Sequence, residues 1–153
     1  MSGTPTPHLF LDSSALVAAA ISTTGAARAL VVLSGAAAIT LTVSEQVIVE
    51  TERALARKAP RALPAYRRYL LESQLRIWPN PAPEQVEAHS TIIAHAADVP
   101  IIVAAVQARV DFLVTLNRRH FLDDPGVSAR SGLTIGTPGD ALAWLRALWS
   151  QST

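Results

Sequence analysis

The sequence predicts an α/β fold, a three-layer α/β/α domain with a mostly parallel central sheet, and three observations carry that reading. Short apolar runs of strand length recur at His8 to Leu11, Ile39 to Val43 and Phe112 to Leu116. Stretches with helical spacing separate them, and strands that alternate with helices favour a parallel sheet. Isolated polar groups then close two of the runs: Asp12 after the first, and Asn117, Arg118, Arg119 and His120 after the third. In open α/β sheets the carboxyl edge of the strands is where ligands bind.

The composition agrees with one compact domain over residues 1–153, with 1–7 as a flexible lead. Apolar residues make up 50% of the chain and charged ones 16%, which suits a packed core. A net charge of +1 advertises no broad nucleic-acid surface, so any such contact must come from a local cluster such as Arg118-Arg119. The chain has no cysteine, which excludes disulfides and thiolate metal sites and suits a reducing compartment. The uncharged stretch Ala29 to Val43 is interrupted by Ser34, Gly35, Thr40 and Thr42 and is too short to span a bilayer. MSGTPTPH lacks the features of a signal peptide. A cytoplasmic protein with no membrane association is the expectation.

Taken in order, His8 to Leu11 reads as a buried strand and Ala15 to Ile21 as a small-residue helix that Asp12 caps. Ala26 to Leu33 is a second helix closed by Ser34-Gly35. After the strand at Ile39 to Val43, Ser44 is the N-cap of a helix carrying Val47, Ile48, Ala54 and Leu55 at helical spacing. Glu50 sits beside that apolar stripe, whereas Glu45 and Glu52 fit a solvated face. Ala59-Pro60 ends the helix, and Leu63 to Leu75 forms an amphipathic one whose Tyr66, Tyr69, Leu70 and Leu71 belong to the core or a dimer surface. Ile77-Trp78 makes a short strand. Asp98 caps a helix from Val99 with Pro100 in its first turn, where the missing N–H costs nothing, and Ile101, Ile102, Val103, Ala105 and Val106 point inward. Leu133 to Ile135 is the last strand. Thr137-Pro138-Gly139-Asp140 opens the closing helix, with Asp140 as a helix-start acid. His89 and His95 are six apart, which does not join two imidazoles on one helix face, so both read as ordinary histidines. Asp123 and Asp124 belong to a turn. The order of the strands does not follow from the sequence.

Asp12 and Asp98 are the acids embedded deepest in apolar sequence. Asp12 lies 16 residues from Arg28, and Asp98 lies 11 from both Glu87 and Arg109. A buried charge without a partner is costly, and Lys58, the sole lysine, sits at a helix end. Converging carboxylates with no Cys or His pair describe an oxygen-ligand site for Mg²⁺ or Mn²⁺, which suits metal-assisted hydrolysis of a phosphodiester. A P-loop, a GxGxxG fingerprint and a GxSxG elbow are all missing from the sequence.

These residues resemble those of a PIN-domain ribonuclease of the kind that serves as the toxin of a VapBC toxin–antitoxin pair, and the likeness covers most of the chain. LFLDSSALVAA resembles the family's opening strand, SEQVIVETERALARK its Ser-led helix with an internal Glu, and DVPIIVAAVQARVDFLVTLNRRHF its third segment. The resemblance implies Asp12, Glu50 and Asp98 as metal ligands and Asn117 as a fourth catalytic-site residue. Ser14 and Thr115 would be supporting hydroxyls, and Arg118, Arg119 and His120 contacts for RNA phosphate. It also implies an RNA substrate, Mg²⁺ or Mn²⁺ as cofactor, a homodimer and a small antitoxin partner. Asn117 departs from the pattern, because that position is often Asp. An amide gives one oxygen but removes a negative charge, which weakens cation binding. The competing reading is a PIN-like RNA- or protein-binding module with weak or no catalysis, in which the carboxylates only cap helices.

Overall fold

The computed structural model describes residues 5–151. Five strands run in parallel: β1 (His8–Leu11), β2 (Thr40–Ser44), β3 (Arg76–Trp78), β4 (Phe112–Val114) and β5 (Thr134–Gly136), in the spatial order β3-β2-β1-β4-β5. Leu9 pairs in register with Leu41 on one side and Phe112 on the other. Being buried on both faces, β1 and β4 read as continuous apolar runs, as central parallel strands do. The helices are α1 (Ser13–Ile21), α2 (Ala26–Gly35), α3 (Glu45–Lys58), α4 (Leu63–Glu72), α5 (Pro83–Ala88), α6 (Val99–Gln107), α7 (Gly126–Ser131) and α8 (Pro138–Ser150). They flank the sheet to complete the three-layer α/β/α arrangement that the sequence predicts.

The core joins Leu9, Phe10 and Leu11 of β1, Leu41 and Val43 of β2, and Leu113 and Val114 of β4 to Leu30, Leu55, Tyr66, Ile101, Ile102 and Leu145 from the helices. Successive strands move outward from β1 through β2 to β3, after which the chain returns to the opposite side of β1 with β4. The strand order therefore reverses between β1 and β4, and a crevice opens there at the carboxyl ends. Asp12 follows β1 and Thr115 follows β4 at that point.

Local chemistry explains most element ends. Ser44 accepts a hydrogen bond from the Val47 N–H at 3.2 Å and starts α3. Thr137 and Asp140 form a reciprocal capping box at α8. Asp12 caps α1, which begins two residues earlier than the sequence suggests because Ser13 and Ser14 join it. Three expectations are corrected. Asp98 stands at the start of α6 but makes no side-chain cap; Ala96–Asp98 is a tight 3₁₀ turn in which its carboxylate turns elsewhere. Val106, expected to point inward, is 38% exposed, whereas the 84% exposure of Leu71 removes it from the core and is compatible with the dimer-surface alternative. The strand after Asp111 is three residues long and ends at Val114, since Thr115 and Leu116 bend away to build the site.

Of the expected lead, residues 1–4 lie outside the described part. Pro7 is buried, and its carbonyl accepts the Thr40 N–H at 2.8 Å. Among the described residues no single helix is long and apolar enough to cross a membrane.

Candidate active site

The site is assembled from the end of β1 outward. The Asp12 N–H donates to the Val114 carbonyl, continuing the sheet by one bond and aiming the carboxylate into the crevice. Its Oδ1 accepts the Ser14 N–H at 2.5 Å and its Oδ2 accepts the Thr115 hydroxyl at 2.5 Å. The helix-capping and crevice roles of Asp12 thus coincide. Ser14 Oγ in turn accepts the Leu116 N–H at 2.9 Å and approaches Thr115 Oγ1 at 3.4 Å. A closed hydroxyl network therefore ties the start of α1 to the residues after β4. Asp12 is 2% exposed and Thr115 is fully buried. Burial pushes the Asp12 carboxyl above the usual carboxylate range, its hydrogen bonds to Thr115 and Ser14 pull it back, and the negative charge of Asp98 pushes it further up.

Asp98 comes from the turn before α6. Its Oδ2 lies 2.8 Å from His120 Nδ1 and 3.2 Å from His95 Nδ1. The two imidazoles stack on each other with centroids 4.1 Å apart and a 19° tilt. Burial raises the Asp98 carboxyl, the two histidines lower it, and Glu50 raises it again through like charge. Glu50 enters from α3, where Gln46 Nε2 donates to its Oε2 at 3.0 Å and also to the Ala97 carbonyl at 2.8 Å. One glutamine thereby links the Glu50 helix to the Asp98 turn. Three carboxylates from separate elements are thus linked electrostatically, Asp98 acting on Asp12 and Glu50 on Asp98.

Asn117 opens the wide helical turn Arg118–Leu122. Its N–H donates to Thr115 Oγ1 at 3.0 Å, its Oδ1 accepts the His120 N–H at 3.1 Å, and its Nδ2 lies 3.1 Å from His120 Nδ1. Arg118 and Arg119 are exposed on that turn. His120 is drawn inward to Asp98 instead. Among the described residues the three metal-capable groups whose ligand atoms all lie within 4.8 Å are His95, Asp98 and His120, so Asp12 and Glu50 stand outside that tight cluster. His95 is the residue sequence reasoning passed over. Its spacing from His89 carries no information, whereas its position three residues before Asp98 does.

The residues fit a divalent cation. Among the described residues the ion pairs are His95 with Asp98, His120 with Asp98, and Arg130 with Asp124, so no Lys or Arg neutralises Asp12, Glu50 or Asp98. Carboxylates that repel one another with no Lys or Arg beside them are a donor set that a hard cation stabilises.

The family model of the PIN domain matches residues 8–119. The chain belongs to the PIN-domain family. PIN domains are in general nucleases, and the cluster around Asp98 offers this one a possible place for a metal. Among solved structures, this PIN domain is similar to VapBC2 from Rickettsia felis bound to a DNA fragment from their promoter. That match has 19% identity and a TM-score of 0.56, and it covers 85% of this chain and 98% of the other. It is also similar to PAE2754 from Pyrobaculum aerophilum, at 20% identity and a TM-score of 0.60, covering 93% of this chain and 90% of the other. At such identities the likeness is one of fold. No curated protein matches the sequence significantly.

Proposed function

We propose that this PIN domain is a metal-dependent endoribonuclease and the toxin of a type II toxin–antitoxin pair. The observation that carries the reading is the buried Asp12 at the β1–β4 switch point, exposed to the negative charge of Asp98 and with no Lys or Arg paired to either carboxylate. Asp12, Glu50 and Asp98 would hold Mg²⁺ or Mn²⁺ through carboxylate oxygens. The bound cation supplies Lewis acidity toward a phosphate oxygen and lowers the pKa of its water. Ser14 and Thr115 fix the rotamer of Asp12, so the carboxylate pays no reorganisation cost when RNA arrives. Asn117 holds the Arg118–Leu122 turn through its amide, and the exposed Arg118 and Arg119 present guanidinium groups to RNA phosphates. His120, engaged with Asp98, lines the open recess beside Arg119 and offers a further phosphate contact there.

The wider assignments follow the same reading: one domain over 1–153, a homodimer, cytoplasmic location, and a small antitoxin partner. The last is supported by the Rickettsia felis neighbour, which is a VapBC complex.

A second reading has its own support. Both oxygens of Asp12 and one of Asp98 already carry hydrogen-bond partners within the chain, as they would in a PIN-like RNA- or protein-binding module without catalysis. Total RNA incubated with purified protein, with Mn²⁺ or with chelator, beside an Asp12→Asn variant, separates the two. The nuclease reading expects Mn²⁺-dependent cutting that the variant loses. Equal cutting by both proteins, or none at any metal concentration, overturns it.

A further inference from the structure

The paired imidazoles at Asp98 have no part in an oxygen-ligand site for Mg²⁺ or Mn²⁺. We propose that His95, Asp98 and His120 form a distinct site for a borderline divalent cation of the Zn²⁺ class, with one coordination position left open.

The geometry suits such an ion. A tetrahedral zinc site with metal–ligand bonds of about 2.0–2.1 Å has ligand–ligand edges of about 3.3 Å. Asp98 Oδ2 lies 2.8 Å from His120 Nδ1 and 3.2 Å from His95 Nδ1, two such edges meeting at one oxygen. Both ring nitrogens face the same carboxylate oxygen, and the three ligand atoms fall within 4.8 Å of one another. Two imidazoles with one carboxylate select zinc and its neighbours in the first transition row over Mg²⁺, which prefers oxygen alone.

Hydrogen bonds hold the His120 ring in place. Asn117 Oδ1 accepts the His120 N–H, which turns its Nδ2 toward His120 Nδ1 at 3.1 Å. Asn117 Nδ2 and Asp98 Oδ2 thus hold the same ring nitrogen between them. Access is provided as well: His95 and His120 line an open recess of about 450 Å³ with Ala94, Arg119 and Asp124, and the His95 side chain is 51% exposed. A small phosphate-bearing or carboxylate ligand entering the recess would take the fourth position beside Arg119.

The site shares Asp98 with the carboxylate set proposed above, yet its existence does not rest on that reading, because it is detected without RNA. Calorimetric titration of the untagged full chain with ZnCl₂ is expected to give one saturable site per chain. His95→Gln and His120→Gln are each expected to weaken it by more than about tenfold, the least that loss of even an outer-shell partner does. His89→Gln and His8→Gln, which alter histidines outside the cluster, are expected to bind zinc as the wild type does. An independent measurement needs no variant: zinc shifts the imidazole NMR signals of His95 and His120 and leaves those of His8 and His89 in place. Absence of saturable binding, equal weakening by His89→Gln, or shifts confined to His8 and His89 would each overturn the proposal. A failed RNA-cutting assay leaves it standing.

Discussion

Thr115 donates its hydroxyl to Asp12 Oδ2 across the seam between β4 and β1, 103 residues apart in sequence. Thr115 Oγ1 also accepts the Asn117 N–H, so one side chain orients both the carboxylate at the floor of the crevice and the backbone at its rim. Hydrogen bonds to charged groups contribute about 1.5–3 kcal/mol each. Thr115→Val keeps the shape and removes the hydroxyl, and it is expected to lower Tm by roughly 3–12 °C in a chain of this size. Thr115→Ser is expected to recover most of that loss. Thermal melts of the three proteins check it, and a Val variant as stable as wild type would show that the bond contributes nothing.

Asp12 itself behaves in the opposite sense. Burial, then the like charge of Asp98, raises its carboxyl in the fold, against the pull of its hydrogen bonds. The native state thus prefers the protonated form. The resulting stabilisation is present at low pH and is lost as pH rises through the native value, so at neutral pH the ionised group is a burden on the metal-free protein. Asp12→Asn is expected to melt higher than wild type at pH 7.5 in chelator, with the gap closing near pH 4. Mn²⁺ at 100 times its Kd adds about 2.7 kcal/mol to the binding protein, roughly 5–10 °C here. Wild type is expected to gain that increment and Asp12→Asn to lose most of it. A variant that melts below wild type at every pH would show that packing outweighs charge at this position.

The sequence made β1, the Ser44 cap and the Thr137 capping box legible because each is written in adjacent residues. A buried parallel strand is a continuous apolar run, and a cap is a polar residue at a fixed offset. The sheet order was not legible, since β1 and β4 pair across a hundred residues and no local pattern encodes which strand lies beside which. The site was readable in part for the same reason. Asp12 stands out by isolation, but the direction of Asp98 depends on the 3₁₀ turn Ala96–Asp98, which denies it the cap and turns it to His120 and His95. Helical spacing made Val106 look inward, but it lies at the exposed end of α6.

His8 links stability to pH far from the crevice. Its Nε2 lies 2.6 Å from Thr42 Oγ1, and its backbone N–H donates to Asp111 Oδ2 at 2.9 Å. Burial, and then the positive charge of Arg76, hold its pKa below the ordinary 6.5, against the opposing pull of Asp111. A depressed histidine contributes stability that is present above its unfolded value and lost as pH falls through the native value. Wild type is therefore expected to lose more stability between pH 7 and pH 5 than His8→Gln does. Urea unfolding at those two pH values isolates the difference, because the other histidines are common to both proteins. Parallel losses would remove His8 as the cause.

Gly136 at the end of β5 is expected to tolerate no side chain. A Cβ there would lie 2.9 Å from Phe112 Cζ and 2.9 Å from Asp140 Cβ. Neither neighbour can yield freely: Phe112 is buried against Trp144 with ring centroids 5.5 Å apart, and Asp140 is held in the α8 capping box. Overpacking of this kind costs about 1–3 kcal/mol. The strain also reaches the site, since the Gly136 carbonyl accepts the Thr115 N–H at 2.9 Å, and a displaced β5 would carry Thr115 away from Asp12. Gly136→Ala is expected to lower Tm and, through Trp144, to alter tryptophan fluorescence. Adding Phe112→Leu is expected to restore part of the loss by opening room for the new methyl group. If the double variant melts below the sum of its single changes, the clash lies with Asp140 and not with the ring.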